Sequence, residues 1–259
     1  MHGLGNDFVI VDAREQPFDV TPSLARAIAD RRTGVGCDQL IVLEPSDSAD
    51  LLMRIWNSDG GEVESCGNAA RCVVQLTGAR RMESAGGLLE GESLGDEVEV
   101  SLGEPRFGWD EVPLAYAMDT AALPMAWDML EHPQALSVGN PHLVFFVADA
   151  DAVPLEELGP RIEFDPAFPE RINVNVAQVD GGGLHLRTWE RGAGLTLACG
   201  TGACATAVAA IRSRRTASPV RVEMPGGSLT VLWQEGGPVR MRGSATHLFE
   251  GELDLEALQ

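Results

Sequence analysis

No lysine occurs anywhere in the 259 residues, so all 19 cations are arginines. This excludes the internal Schiff base by which pyridoxal phosphate enzymes hold their cofactor, and lysine-based aldolase chemistry with it. It equally excludes a P-loop of the usual kind, whose lysine reaches the nucleotide phosphates. Positive charge is scarce as a whole: 39 acidic residues against 19 basic give a net charge of −20 and a pI near 4.5. Nucleic acids and anionic membranes are bound through clustered cations, so neither is an expected partner. Cysteines number only five, an odd count that reads as reduced thiols of a cytoplasmic protein rather than a disulfide framework. The opening segment Met1–Asp7 has neither a basic nor an apolar leader region, so no signal peptide is expected. The uncharged run Gly192–Ile211 is 20 residues long, enough to span a bilayer, but its glycines and threonines read as strand, turn and helix instead.

What is present is an ordinary globular composition, 44% hydrophobic and 22% charged, in a chain long enough for two domains. The chain also repeats itself. Arg54–Ala70 and Arg187–Ala203 align without gaps at an offset of 133, with six of 17 positions identical, among them Trp56/Trp189, Cys66/Cys199 and Gly67/Gly200. Gly5-Asn6-Asp7-Phe8 and Gly139-Asn140-Pro141-His142 recur at an offset of 134, each followed by an apolar run. The same order in both halves predicts two domains of one architecture: an N-terminal repeat over 1–112, a C-terminal repeat over 113–243, and a tail, 244–259, returning to the first. The boundary is expected in the Gly/Pro/acidic stretch Trp109–Leu114, and the tail piece Ala245–Leu255 alternates like a strand.

Short β-rich runs separated by turn residues, with few helices, predict an α+β fold with antiparallel-rich sheets. Pro22–Arg32 reads as a helix capped by Thr21 with Pro22 in its first position. Cys66–Leu76 and Cys199–Arg215 read as helices rich in small residues, each preceded by a glycine turn.

In each repeat, then, a Cys-Gly pair stands where strand and turn give way to a helix. A helix N-terminus carries roughly half a positive charge and unpaired N–H groups. A thiol placed there is expected to have a lowered pKa and to act as a base near neutrality, while the same donors hold a substrate carboxylate. Two such cysteines acting on one carbon suit proton transfer from one face to the other: racemisation or epimerisation of an amino acid. Donors on the carboxylate stabilise the enediolate-like charge, where pyridoxal phosphate would otherwise be the electron sink.

The motifs His2–Phe8, Gly34–Leu40, Asn57–Gly60, Cys66–Cys72, Gly139–His142, Arg171–Val174, Glu190–Gly192 and Ala198–Ala203 together resemble the diaminopimelate epimerase family across nearly the whole chain. The resemblance implies two pseudo-symmetric domains, each an antiparallel-rich sheet wrapped around a central helix. It implies interconversion of LL- and meso-diaminopimelate without cofactor or metal, in lysine and cell-wall precursor synthesis. Cys66 and Cys199 match the acid/base cysteines, and Gly67-Asn68 and Gly200-Thr201 match the turns that hold the reacting carboxylate. His142 and Glu190 match residues that assist the cysteines and the substrate ammonium. Asn6, Gln39, Asn57, Asn140, Asn173 and Arg191 match ligand-binding positions. The implied partners are the small-molecule substrate and a second copy in a homodimer. Two departures stand out: the sequence opens on the His-Gly-Leu-Gly-Asn-Asp motif, which a short strand usually precedes in the family, and Ala69-Ala70 replaces a glycine-containing pair.

Other readings of the same residues are weaker. Cys37, Cys72 and Cys204 read as core cysteines, and the spacings among the cysteines lack the pattern of a zinc site. Gly200–Ala205 fits a dinucleotide-binding fingerprint, but too little chain follows it for a doubly wound sheet. A proline or hydroxyproline racemase is the nearest enzymatic alternative, and a redox-sensing or binding module using the same thiols the non-enzymatic one.

Overall fold

The computed structural model describes residues 1–64 and 66–258; Ser65 of the first repeat and Gln259 at the end of the tail lie outside the described residues. The chain divides into two compact units, Met1–Val100 with Gly243–Gln259, and Ser101–Arg242. The first division precedes the Trp109–Leu114 stretch. Leu102 and Val239 share a backbone hydrogen bond, Arg106 pairs with Ser137, and Val112 and Leu114 enter the second unit's core.

The first unit contains β1 (His2–Gly3), β2 (Asn6–Asp12), α1 (Pro22–Ala29), β3 (Gln39–Glu44), β4 (Leu51–Asn57), β5 (Glu62–Val63), α2 (Gly67–Thr77), β6 (Arg81–Ser84), β7 (Gly87–Ser93) and β8 (Val98–Ser101). The second contains β9 (Ala126–Trp127), β10 (Leu130–Glu131), β11 (Gln134–Ser137), β12 (Pro141–Phe146), α3 (Leu155–Glu163), β13 (Asn173–Asp180), β14 (Gly183–Glu190), β15 (Gly194–Thr196), α4 (Gly200–Arg212), β16 (Val220–Met224), β17 (Gly227–Leu232) and β18 (Arg240–Gly243). The strand order β1-β2-β3-β4-β6-β7 of the first unit is the order β11-β12-β13-β14-β16-β17 of the second, with β5 on β4 and β15 on β14. Pairing sense repeats as well. β2 with β3 and β4 with β6 are parallel, as are β12 with β13 and β14 with β16, while the other pairs of each series are antiparallel. The sequence repeat is therefore a repeat of topology, in a mixed α and β fold.

The sheets are buried on both faces, and the period of two in each strand sorts residues between helices. Leu40 and Val42 pack with Ala25 and Ile28 of α1. In the second unit Leu143, Phe145, Val174 and Val176 pack with Leu155, Leu158 and Ile162 of α3. The opposite faces cover α2 and α4. Helix α4 is buried over Gly202–Ala210, so a helix of alanine, valine and cysteine suits a position with no solvent face.

Several element ends differ from the sequence reading. Helix α1 stops at Ala29, because Asp30 turns extended and its carboxylate takes the N–H groups of Arg32 and Thr33. Helix α4 stops at Arg212, and Arg214 adopts a left-handed φ of 57° beyond it. The tail piece 245–255 forms no strand; only Thr246 bridges His2 there, and Leu248 and Phe249 are exposed. Among the described residues no helix is long and apolar enough to cross a membrane; Gly192–Ile211 resolves into turn, β15 and most of α4.

Candidate active site

Each repeat cysteine is the residue that caps its helix. Cys66 (φ −145°, ψ 110°) precedes α2 and Cys199 (φ −118°, ψ 110°) precedes α4, both in extended backbone, so Gly67 and Gly200 take the first helical position. Glycine there lets the chain turn into the helix without a side chain between the cysteine and the unpaired N–H groups.

In the first unit three of the expected site residues meet. The Cys66 Sγ lies 3.8 Å from Asn6 Oδ1, which also accepts from Asn68 Nδ2 at 3.3 Å. Asn6 is held in turn by Asp38, accepting from Asn6 Nδ2 at 3.0 Å, and Arg31 bonds both Asp38 and Asp7 at 2.7 Å. Burial raises the Asp7 pKa, but the bonds from Arg31 and the Asp38 N–H outweigh it and hold the carboxyl below its ordinary range. The wholly buried Arg71 donates to Asn68 Oδ1 at 3.0 Å and fixes the amide orientation. Gln39 and Asn57 form a separate pair at 2.8 Å, on adjacent strands in register.

In the second unit the contacts form a chain. The Gly202 N–H donates to Cys199 Sγ at 3.3 Å, and the Thr201 hydroxyl lies 3.5 Å from the same sulfur. Asn140 Nδ2 donates to Thr201 Oγ1 at 3.3 Å, and Asn140 Oδ1 lies 2.8 Å from His142 Nε2. Among the described residues, His142 thus reaches the cysteine through Asn140 and Thr201. Complete burial, with a smaller contribution from Arg191, pushes the His142 pKa down to about 3, so the ring is neutral. Glu190, at the end of β14, accepts from Thr196 Oγ1 at 2.5 Å and faces Cys199. Asn173 accepts from the Arg191 backbone N–H at 3.0 Å, and the Arg191 guanidinium donates to Glu170 O at 3.1 Å.

The electrostatics of Cys199 reverse the sequence expectation. Its thiol is raised well above its ordinary range, first by burial and then by the Glu190 carboxylate; the hydrogen bonds from Thr201 and Gly202 pull the other way and lose. Helix-terminus stabilisation is smaller than the cost of a desolvated thiolate beside an anion. The remaining cysteines are core residues. Cys37, Cys72 and Cys204 are buried, and burial pushes Cys37 to about 11 and Cys72 to about 12.

Some residues that shape the site were not singled out in the sequence. Glu163, almost fully buried, accepts from Trp189 Nε1 at 2.7 Å and Gly192 N at 2.9 Å, clamping the chain on either side of Glu190-Arg191. Asn175 and Thr188 lie behind His142. The one available signal was Asn173-x-Asn175, two polar residues at the strand period inside an apolar run.

Comparison with known proteins shows the family. A family profile described as Diaminopimelate epimerase matches residues 1–108 and 134–248. A diaminopimelate epimerase of Rhizorhabdus wittichii is 64% identical over 99% of this chain and 95% of its own length, and one of Sphingopyxis alaskensis is 62% identical over 98% and 96%. Among solved structures, a hydroxyproline epimerase from Agrobacterium vitis with bound trans-4-hydroxy-L-proline superposes with a TM-score of 0.64 at 16% identity, covering 94% of this chain and 86% of that one, which speaks for the fold alone. With the duplicated topology, the two capping cysteines and these matches together, the chain belongs to the diaminopimelate epimerase family.

Proposed function

We propose that the protein epimerises one α-carbon of diaminopimelate, interconverting the LL and meso isomers for lysine and peptidoglycan precursor synthesis. The observation that carries this reading is the repeat-equivalent pair Cys66 and Cys199, each capping a buried helix, in a chain of this family. One thiolate removes the α-proton and becomes a thiol. The opposite thiol delivers its proton to the other face and becomes a thiolate. Bonds and charge balance without a redox step, and without a cofactor in the proposed scheme.

The raised pKa of Cys199 favours its thiol form, so we assign it the proton-delivering role when LL-diaminopimelate is the substrate. The N–H groups at the starts of α2 and α4, at Gly67-Asn68 and Gly200-Thr201, are the donors assigned to the reacting carboxylate. Each such donor is worth about 3 kcal/mol where charge develops in a dry site. Arg191 is assigned to the distal carboxylate, for which a planar fork of donors fits. Glu190, Asn6, Asn57, Asn140, Asn173 and Gln39 supply acceptors for the two ammonium groups. Gln39 supports this in particular, since its Oε1 is buried and has no hydrogen-bond partner among the described residues. An unmet buried acceptor costs about 1–3 kcal/mol, which an ammonium donor offsets.

Incubation of LL-diaminopimelate with the protein in D₂O should give meso product carrying deuterium at the inverted carbon. Recovery of undeuterated, unisomerised substrate overturns the proposal. Proline and hydroxyproline in the same assay address the racemase alternative. The presence of Glu190-Arg191 together with Asn57 and Asn173 favours the longer, doubly charged substrate, so no turnover of the cyclic amino acids is expected.

The cysteine usage supports a cytoplasmic location, and family membership supports a homodimer. Light scattering should then return twice the chain mass of 27.6 kDa; a single chain mass at micromolar concentration rejects the dimer.

A further inference from the structure

We propose that Asn175, with Thr188 behind it, is a positioning pair that fixes which nitrogen of His142 carries the proton and thereby turns the Thr201 hydroxyl toward the Cys199 sulfur. This deepens the preceding reading and rests on Cys199 being one of the proton carriers.

The donors and acceptors admit one assignment. Asn175 is wholly buried on β13. Its Nδ2 donates to Leu143 O at 2.8 Å, and a backbone carbonyl only accepts, so the amide cannot be reversed. Its Oδ1 faces the Thr188 hydroxyl at 3.1 Å, which pins the other end. The second proton of Nδ2 points to His142 Nδ1 at 3.1 Å, so that nitrogen is an unprotonated acceptor. The neutral imidazole then bears its hydrogen on Nε2 and donates to Asn140 Oδ1 at 2.8 Å. That leaves Asn140 Nδ2 to donate to Thr201 Oγ1 at 3.3 Å. With this lone pair engaged, the Thr201 hydroxyl directs its own proton at Cys199 Sγ, 3.5 Å away. Every bond in the series runs in one direction, from Asn175 to the sulfur.

The first unit shows that the fold does not need polar residues at these places. His142 pairs with Asn173 as Phe8 pairs with Gln39. Asn175 pairs with Thr188 as Ile41 pairs with Ile55. The topological counterparts of His142, Asn175 and Thr188 are thus Phe8, Ile41 and Ile55, all buried and apolar. Three polar side chains in a core cost stability relative to such a trio unless every group is satisfied. In the second unit they are satisfied by one another, and the series they form leads to the cysteine.

The test uses the intact protein and two substitutions. Asn175→Asp removes both donors and offers His142 Nδ1 an acceptor. The ring then protonates on Nδ1, Asn140 reverses, and the Thr201 hydroxyl turns from sulfur to Asn140 Oδ1. Thr188→Val keeps the shape, adds no charge, and loosens Asn175. The ionisable group that acts on this sulfur, Glu190 at the end of β14, and those farther along the series, His142 on β12 and Arg191 acting on it, are untouched by the valine. Alkylation by iodoacetamide, read at Cys199 by peptide mass spectrometry against pH, should slow about tenfold at pH 8 in Asn175→Asp, with its midpoint moved upward. Thr188→Val should move the same midpoint upward by less, and Thr188→Ser should restore it. The Cys66 profile should stay in place. In the diaminopimelate assay Thr188→Val should lower kcat about tenfold with KM little changed, because it loosens the series without turning a ligand-binding side chain, whereas Asn175→Asp, which also reverses Asn140, should lower kcat further and raise KM. Unchanged Cys199 profiles in folded Thr188→Val overturn the proposal, even if Asn175→Asp fails to fold. Profiles that shift as expected in a protein that leaves diaminopimelate untouched overturn the substrate assignment and leave the positioning pair standing.

Discussion

Replacing either capping cysteine by alanine should lower the rate of LL-to-meso conversion by about a thousandfold or more, the scale set by losing a general acid or base in a step that needs both. The loss should fall on kcat, since a methyl group in place of a thiol leaves the N–H groups of the helix starts intact. Calorimetric titration with diaminopimelate checks this by showing retained binding. Cys72→Ala is the matched control. Cys72 lies inside α2, wholly buried, with its pKa pushed to about 12, so it exchanges no proton near neutrality. Its removal should cost some stability through the small cavity and little activity. A Cys199→Ala variant that turns over at the wild-type rate would falsify the two-base scheme outright.

Gly202→Val should abolish most activity by a purely steric route. A Cβ at Gly202 would lie 2.6 Å from Asn175 Oδ1, 3.1 Å from Thr188 Oγ1 and 3.2 Å from Cys199 Cβ. Of these, the first is closer than real Cβ atoms approach, and the partners are buried side chains with no room to retreat. The first turn of α4 must shift, and with it the Gly202 N–H that donates to Cys199 Sγ at 3.3 Å. We expect kcat to fall at least about a hundredfold, with a loss of about 1–3 kcal/mol in stability by denaturant unfolding. Ala69→Gly, at the equivalent place in α2, should cost about 1 kcal/mol of helix stability and show no comparable loss of turnover. Wild-type kinetics in Gly202→Val would mean that the start of α4 can move without consequence for Cys199.

Much of this was legible in the sequence because it depends on local order. The 133-residue offset between Trp56 and Trp189, and between Cys66 and Cys199, announced a duplicated unit, and Thr21-Pro22 marked a helix start where α1 begins. The small residues after Cys199 marked a helix there, and the resemblance implied that it is central. Ends were less legible: Asp30 competes for backbone N–H groups and stops α1 early, and the alternation in the tail found no partner strand.

By itself, then, the sequence determined which chemistry was available: no lysine, two cysteines at equivalent helix starts, recurring amides, and an arginine in the second repeat. It could not determine the protonation of those groups. Helix position argued for a lowered thiol pKa at Cys199, but burial and the approach of Glu190, brought in by β14, reverse the sign. Nor could it say why one repeat carries alanine at 69 and the other glycine at 202. That answer lies in Asn175 and Thr188, on two other strands, whose side chains occupy the space a Cβ would need. Charge balance and close packing depend on what long-range strand pairing brings within a few ångströms, and only the tertiary structure decides that.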